Sequence, residues 1–259
     1  MRLEARIRNR LLDAGVFDGL SAAGGRYVAS AGNQLDLLAQ LYCTDKSSRY
    51  HGYSKHYAEH FAPSRFKRLT LLEIGVGGSE DPHRGGNSLR MWRDYFPRGR
   101  IIGADLYPKS LTRLGTRVEV VQCDQSDPAS LQAVADSLPI IDIIIDDGSH
   151  IGEHVWITLG ELFPRLAHGG WYVIEDLHSS MLTTHGGSAD PDNSTPLGAV
   201  KEAAVAVQSQ DVVVRRGAVP SPLTRLDDVA ELHVYPGIAF LRKTQHGTVV
   251  GKGPRSGHG

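Results

Sequence analysis

The stretch IIDIIIDDGSH, residues 140–150, decides the fold. Its isoleucines run together without the apolar–polar alternation of a strand that has one wet face. Such a run reads as a strand buried on both faces, and strands of that kind belong to parallel sheets covered by helices. The run stops at two adjacent carboxylates, Asp146 and Asp147, followed by Gly148, Ser149 and His150. Burying a carboxylate without compensation is costly. The pattern therefore places the acids just past the strand end, where a ligand or a metal ion can sit.

Four further segments have the same shape. LTLLEIGVGG (69–78) is a strand running into glycines. RIIGADLYP (100–108) and VEVVQCDQSD (118–127) each reach an acid, and GGWYVIEDLHSS (169–180) reaches Glu175 and Asp176. Helices are expected between them over 87–95, 128–137 and 153–167. Strands alternating with helices predict an α/β fold, a Rossmann-like, doubly wound and mainly parallel sheet. ELHVYPGIAFLRK (231–243) carries a Pro-Gly turn between two apolar runs and predicts an antiparallel hairpin closing one edge. HGGSADPDNSTPLG (185–198) is dense in turn formers and is expected to be a mobile loop. Residues 1–62 read as a helical N-terminal segment, 63–243 as the catalytic domain and 244–259 as a disordered tail. Leu3, Ile7 and Leu11 recur at helical spacing, and their apolar stripe predicts an assembly helix and a homo-oligomer.

With 259 residues and 41% hydrophobic content, the chain can bury one sizeable core. A formal net charge of −1 argues against a polyanion as partner, so no nucleic acid is expected. No apolar run approaches the roughly 18 residues of a membrane helix, so no membrane is expected either. No signal-peptide apolar region opens the sequence. Cys43 and Cys123 match no metal spacing and read as structural thiols of a reduced, cytoplasmic protein.

In open α/β sheets, ligands bind beyond the carboxyl ends of the strands. Here those ends carry Glu73 with Gly75 and Gly77, then Asp105, Asp124, Asp146 with Asp147, and Glu175 with Asp176. The glycine segment EIGVGGSEDPHRGGN (73–87) is neither G-x-G-x-x-G nor a phosphate loop ending in Gly-Lys-Ser/Thr. Asp105 can accept hydrogen bonds from both hydroxyls of a ribose, or can simply be a turn acid. An adenosine cofactor without phosphates fits these features better than a dinucleotide. Asp147, Glu175 and Asp176 offer three oxygen ligands, which suits Mg2+; without cysteine, zinc is less favoured. The other reading is that Glu175 and Asp176 cap a following helix. His150 lies three residues beyond Asp147, where a neutral imidazole can take a proton from a hydroxyl or can be merely structural.

The order LLEIGVG, GADLYP, CDQSD, IDDGSH, VIEDLH resembles the class I S-adenosylmethionine-dependent methyltransferases. More narrowly, YCTDKSSRYHGYSKHY (42–57) followed by DDGSH and IEDLH resembles the metal-dependent macrolide and deoxysugar O-methyltransferases of antibiotic biosynthesis. The resemblance covers residues 40–243. It implies S-adenosyl-L-methionine and Mg2+ as cofactors and a glycosylated natural product as substrate. It implies His150 as the general base, and Asp147, Glu175 and Asp176 as metal ligands. It implies cofactor contacts from Thr44, Glu73, Gly75, Gly77, Ser88, Asp105, Asp124 and Asp147. His51, Tyr53 and Tyr57 are candidates for the acceptor pocket, since aromatic faces pack on sugars; packing of a helix on the domain accounts for them equally well. GSEDPHRGGN (78–87) is longer than the corresponding region of that family. Two readings of other classes stay open. One is a metal-dependent hydroxylase or hydrolase like the cephalosporin hydroxylases, although an oxygenase iron wants two histidines and one carboxylate. The other is a non-catalytic nucleotide-binding protein, which needs no base beside a metal cluster.

Overall fold

The structure, a computed structural model, describes residues 35–112, 114–216, 226 and 228–245. The Leu3–Leu11 stripe and the tail beyond residue 245 lie outside the described residues. The described chain forms two compact units, divided between Gln125 and Ser126.

In the first unit, α1 (Leu35–Leu41) and α2 (Ser54–Phe61) precede β1 (Thr70–Ile74), α3 (Asn87–Tyr95), β2 (Arg100–Asp105) and β3 (Val118–Gln122). All five residues of β1 are buried, as an unalternated apolar run requires. β1 pairs with β2 and β2 with β3, both in parallel. The described part of the N-terminal segment shares this unit's core. Tyr57 on α2 meets the Trp92 ring of α3 edge-on at 4.9 Å, with Phe61 and Phe96 beside them. Tyr57 and Phe61 stand one helical turn apart, so one face of α2 supplies both rings.

The second unit holds α4 (Pro128–Asp136), β4 (Ile141–Asp146), α5 (Gly152–Leu162), β5 (Leu166–Ile174), α6 (Pro196–Arg216), β6 (Val229–Tyr235) and β7 (Ile238–Lys243). Helix α4 starts where Asp127 caps it, accepting from the Ala129 N–H at 3.0 Å with Pro128 in the first turn. β4 and β5 run parallel; β5–β7 and β7–β6 run antiparallel, so the expected hairpin is present with β6 outermost. The strand order is β3-β2-β1 in the first unit and β4-β5-β7-β6 in the second, so the strands are mainly parallel with the expected antiparallel C-terminal edge.

Three expectations need correction. Helix α5 ends at Leu162, not 167, and a 3-10 turn over Phe163–Arg165 leads into β5 at Leu166. Pro164 has no N–H to continue the helix. The Lys243 ammonium fixes this turn by donating to the carbonyls of Phe163, Pro164 and Leu166 at 3.2, 2.8 and 3.0 Å. Second, the loop expected over 185–198 stops at residue 195. Pro196 opens α6, and the Thr195 hydroxyl accepts from the Gly198 N–H at 3.3 Å. Third, Thr244 is not tail, since its N–H donates to the Asp228 carbonyl at 2.8 Å.

Candidate cofactor and metal sites

In the first unit the chain leaves β1 through a tight glycine loop. Gly75, Gly77, Gly78, Gly85 and Gly86 all have positive φ. A Cβ on Gly78 would lie 2.3 Å from the Arg84 carbonyl oxygen, and one on Gly85 would lie 2.3 Å from that of Gly77. The two limbs of the loop therefore approach closer than side chains permit. Asp105, at the end of β2, holds the loop: one carboxylate oxygen accepts from the Val76 N–H at 2.9 Å and the other from the Tyr107 N–H at 3.0 Å. Lys109 Nζ lies 3.8 Å from the same carboxylate.

Glu73 is fully buried at the end of β1. Ser88, in the first turn of α3, donates to it at 2.8 Å, and the fully buried Lys46 ammonium lies 3.5 Å from its other oxygen. Ser88 and Glu73, both named from the resemblance as cofactor contacts, are therefore neighbours. Thr44 is buried, and its hydroxyl accepts from the Lys46 N–H at 3.2 Å. Asp124 is half-buried just beyond β3.

Sequence reasoning missed Lys46 and Asp36. Lys46 lies in a polar run, where a lysine reads as solvated. Asp36, in the first turn of α1, binds the loop that carries Thr44 and Lys46. It accepts from the Ser48 N–H at 2.7 Å, and from the hydroxyls of Ser48 and Ser54 at 2.6 Å each. Burial pushes this carboxyl up, but the bonds from Ser48 and Ser54 outweigh it and hold the group below its ordinary value. Tyr53 and Tyr57 are buried in the core, whereas His51 is exposed and stacks on the Tyr53 ring.

In the second unit Asp146 and Asp147 divide the work of the opening stretch. Asp146 is buried and accepts from the Tyr172 hydroxyl at 3.3 Å, while its carbonyl accepts from the Glu175 N–H at 3.0 Å. Burial and the neighbouring Asp146 charge push the Tyr172 phenol well above its ordinary value, so it serves as a fixed donor. Asp147 and His150 are half-buried. Ligand atoms of Asp147, His150 and Asp176 all lie within 4.8 Å of one another, and His150 Nε2 is 3.6 Å from Asp176 Oδ2. Glu175, expected in this cluster, is buried and is not one of these three.

Among the described residues only Cys43, Ser79, His150 and Asp176 are non-glycine residues with positive φ. Two of the four are the facing pair of this cluster. Such backbone strain collects where surrounding structure forces a side chain into place for function. Two carboxylates and an imidazole in this array suit a divalent cation, and an imidazole beside a carboxylate suits proton transfer.

Over most of its length the chain is homologous to O-methyltransferases. It is 42% identical over 240 residues to the 8-demethyl-8-alpha-L-rhamnosyl tetracenomycin-C 2'-O-methyltransferase of Streptomyces olivaceus, covering 93% of this chain and 59% of that protein. It is 40% identical over 211 residues to the mycinamicin VI 2''-O-methyltransferase of Micromonospora griseorubida, covering 81% of this chain and 52% of that one. Its fold is that of the MycE methyltransferase of the mycinamycin biosynthetic pathway, solved with Mg, SAH and mycinamycin VI. That match has a TM-score of 0.73 at 39% identity and covers 81% of this chain and 53% of that one. The chain thus spans little more than half the length of these relatives. No protein-family model matches it.

Proposed function

We propose that this chain transfers a methyl group from S-adenosyl-L-methionine to a sugar hydroxyl of a glycosylated natural product in antibiotic biosynthesis, with the help of Mg2+. The observation that carries this reading is the Asp147–His150–Asp176 cluster, in a chain about two-fifths identical to sugar O-methyltransferases. The Mg and SAH in the MycE complex support the choice of cofactors. The sulfonium methyl supplied by the cofactor is already electrophilic, so the acceptor oxygen is the group that needs activation. A hard divalent cation held by Asp147 and Asp176, with Glu175 adjoining, supplies Lewis acidity to that hydroxyl.

His150, whose Nε2 lies 3.6 Å from Asp176 Oδ2, takes the hydroxyl proton. Thr44, the Glu73–Gly77 turn, Ser88, Asp105 and Asp124 bind and orient the cofactor. Displacement requires the acceptor oxygen in line with the methyl carbon and the departing sulfur. His51 is the accessible member of the aromatic group offered to the acceptor. The working form we infer is a cytoplasmic homo-oligomer, supported by the Leu3–Ile7–Leu11 stripe. No described helix is long and apolar enough to cross a membrane.

The test is methyl transfer to a deglycosylated and a glycosylated macrolide pair, with and without EDTA. Transfer should require the sugar, stop on chelation and return with Mg2+. His150→Ala should retain cofactor and Mg2+ binding, lose about 10²–10⁴-fold in turnover and recover part of it at high pH. Full activity after exhaustive chelation would remove the metal from the scheme, and full turnover in a folded His150→Ala protein would remove the base.

A further inference from the structure

We infer that the Asp147–His150–Asp176 cluster has a second class of occupant: a borderline transition-metal ion such as Zn2+, which takes His150 as a ligand and so withdraws the base that Mg2+ leaves available. The inference rests on the reading of this cluster as a metal site.

The three groups that lie within 4.8 Å of one another are two carboxylates and one imidazole. Bonds of zinc to imidazole nitrogen and carboxylate oxygen are about 2.0–2.2 Å, so two ligands of a tetrahedral ion stand about 3.4 Å apart. His150 Nε2 and Asp176 Oδ2 are 3.6 Å apart, close to that separation without any rearrangement. Both residues also sit at positive φ, +59° and +53°, so each side chain leaves the backbone in a direction that ordinary conformations do not give. Mg2+ demands oxygen ligands and keeps its waters, whereas imidazole suits zinc, nickel and copper. The softness of the ion therefore decides whether His150 acts as base or as ligand.

His185 is a neighbour of this cluster and not a member of it. Its ring centroid is 6.3 Å from that of His150, and its Nδ1 lies 3.0 Å from the Thr184 hydroxyl. Ser149, between the two ligand positions, is tied to His154 Nδ1 at 2.9 Å, which braces the loop in either state.

The experiment is calorimetry of the full chain with ZnCl2 and, separately, MgCl2, on the wild type, His150→Ala and His185→Ala. Loss of an imidazole ligand should weaken zinc by on the order of 100-fold in His150→Ala and leave Mg2+ within about threefold. His185→Ala should leave both affinities within about threefold, because it removes no ligand. Added zinc should inhibit the Mg2+-loaded wild type, with excess Mg2+ reversing it. Unchanged zinc affinity in His150→Ala overturns the inference, as does an equal loss in His185→Ala. Absence of Mg2+ binding to the wild type would instead overturn the metal reading beneath it.

Discussion

At the ends of β1 and β2 the backbone turns on glycines, and the carboxylates of Glu73 and Asp105 are already tied to Ser88, Lys46 and two backbone N–H groups. At the ends of β4 and β5 the positive φ falls on residues that carry side chains. There the positive-φ residues are His150 and Asp176, whose half-buried side chains face each other across 3.6 Å. The first cluster is a cradle whose shape is set by interactions within the protein. The second places its side chains by straining the backbone beneath them.

Breaking the buried pair in the first cluster should give the largest effect on stability. Lys46→Met removes the ammonium from beside the buried Glu73 carboxylate and should cost about 3–5 kcal/mol in denaturant unfolding. Adding Glu73→Gln should restore much of it; no recovery in the double variant would mean that Lys46 acts through packing alone. Next, Asp105→Ala should weaken S-adenosylhomocysteine binding by about 1.5–3 kcal/mol, the scale of hydrogen bonds to a charged group. It also frees the Val76 N–H, so Asp105→Asn should fall between the two proteins. An unchanged affinity would separate the glycine loop from the cofactor.

In the second cluster, Asp176→Gly and Asp176→Ala remove the same charge but differ in strain. At φ +53° and ψ +40°, the glycine variant should be the more stable by about 1–2 kcal/mol. Equal unfolding midpoints would contradict strain at this position.

The smallest effect belongs to Asp36. Its folded carboxyl titrates below its ordinary value, held there by Ser48 and Ser54 against the opposing effect of burial. Its contribution to stability is therefore complete above the ordinary carboxylate range and is lost as pH falls through the lowered value. Asp36→Asn should flatten the loss of stability between about pH 4 and pH 2 and leave the slope above pH 5 unchanged.

The two clusters also differ in how they could be read from sequence. Strand positions followed from unalternated apolar runs, which depend on local residues alone. Asp105, Asp147, His150 and Asp176 stand out in the sequence because each lies at or just past the end of such a run. Lys46 and Asp36 do not, because what distinguishes them is burial and partners distant in sequence, and neither leaves a local pattern. For Tyr53 and Tyr57 the sequence leaves two readings open, since a ring that packs on a sugar has the same chemistry as one that packs on Trp92; both rings are buried in the core. Helix α6 did leave a signal, Thr195 followed by Pro196, but the turn formers before it and the β-branched valines within it obscured the pattern.

The insertion of β7 between β5 and β6 has a consequence for synthesis of the chain. β5 is complete at Ile174, yet its antiparallel partner arrives only with residues 238–243, and Lys243 reaches a carbonyl 77 residues upstream. While the ribosome is adding the residues between, β5 presents an unpaired apolar edge. The second unit therefore cannot close as it emerges. Its folding must wait for a late, non-local pairing, the kind of step that is slow and exposed to aggregation. A nascent chain stalled near residue 230 should be markedly more dependent on chaperones than one stalled well past Lys243 once that strand has cleared the exit tunnel.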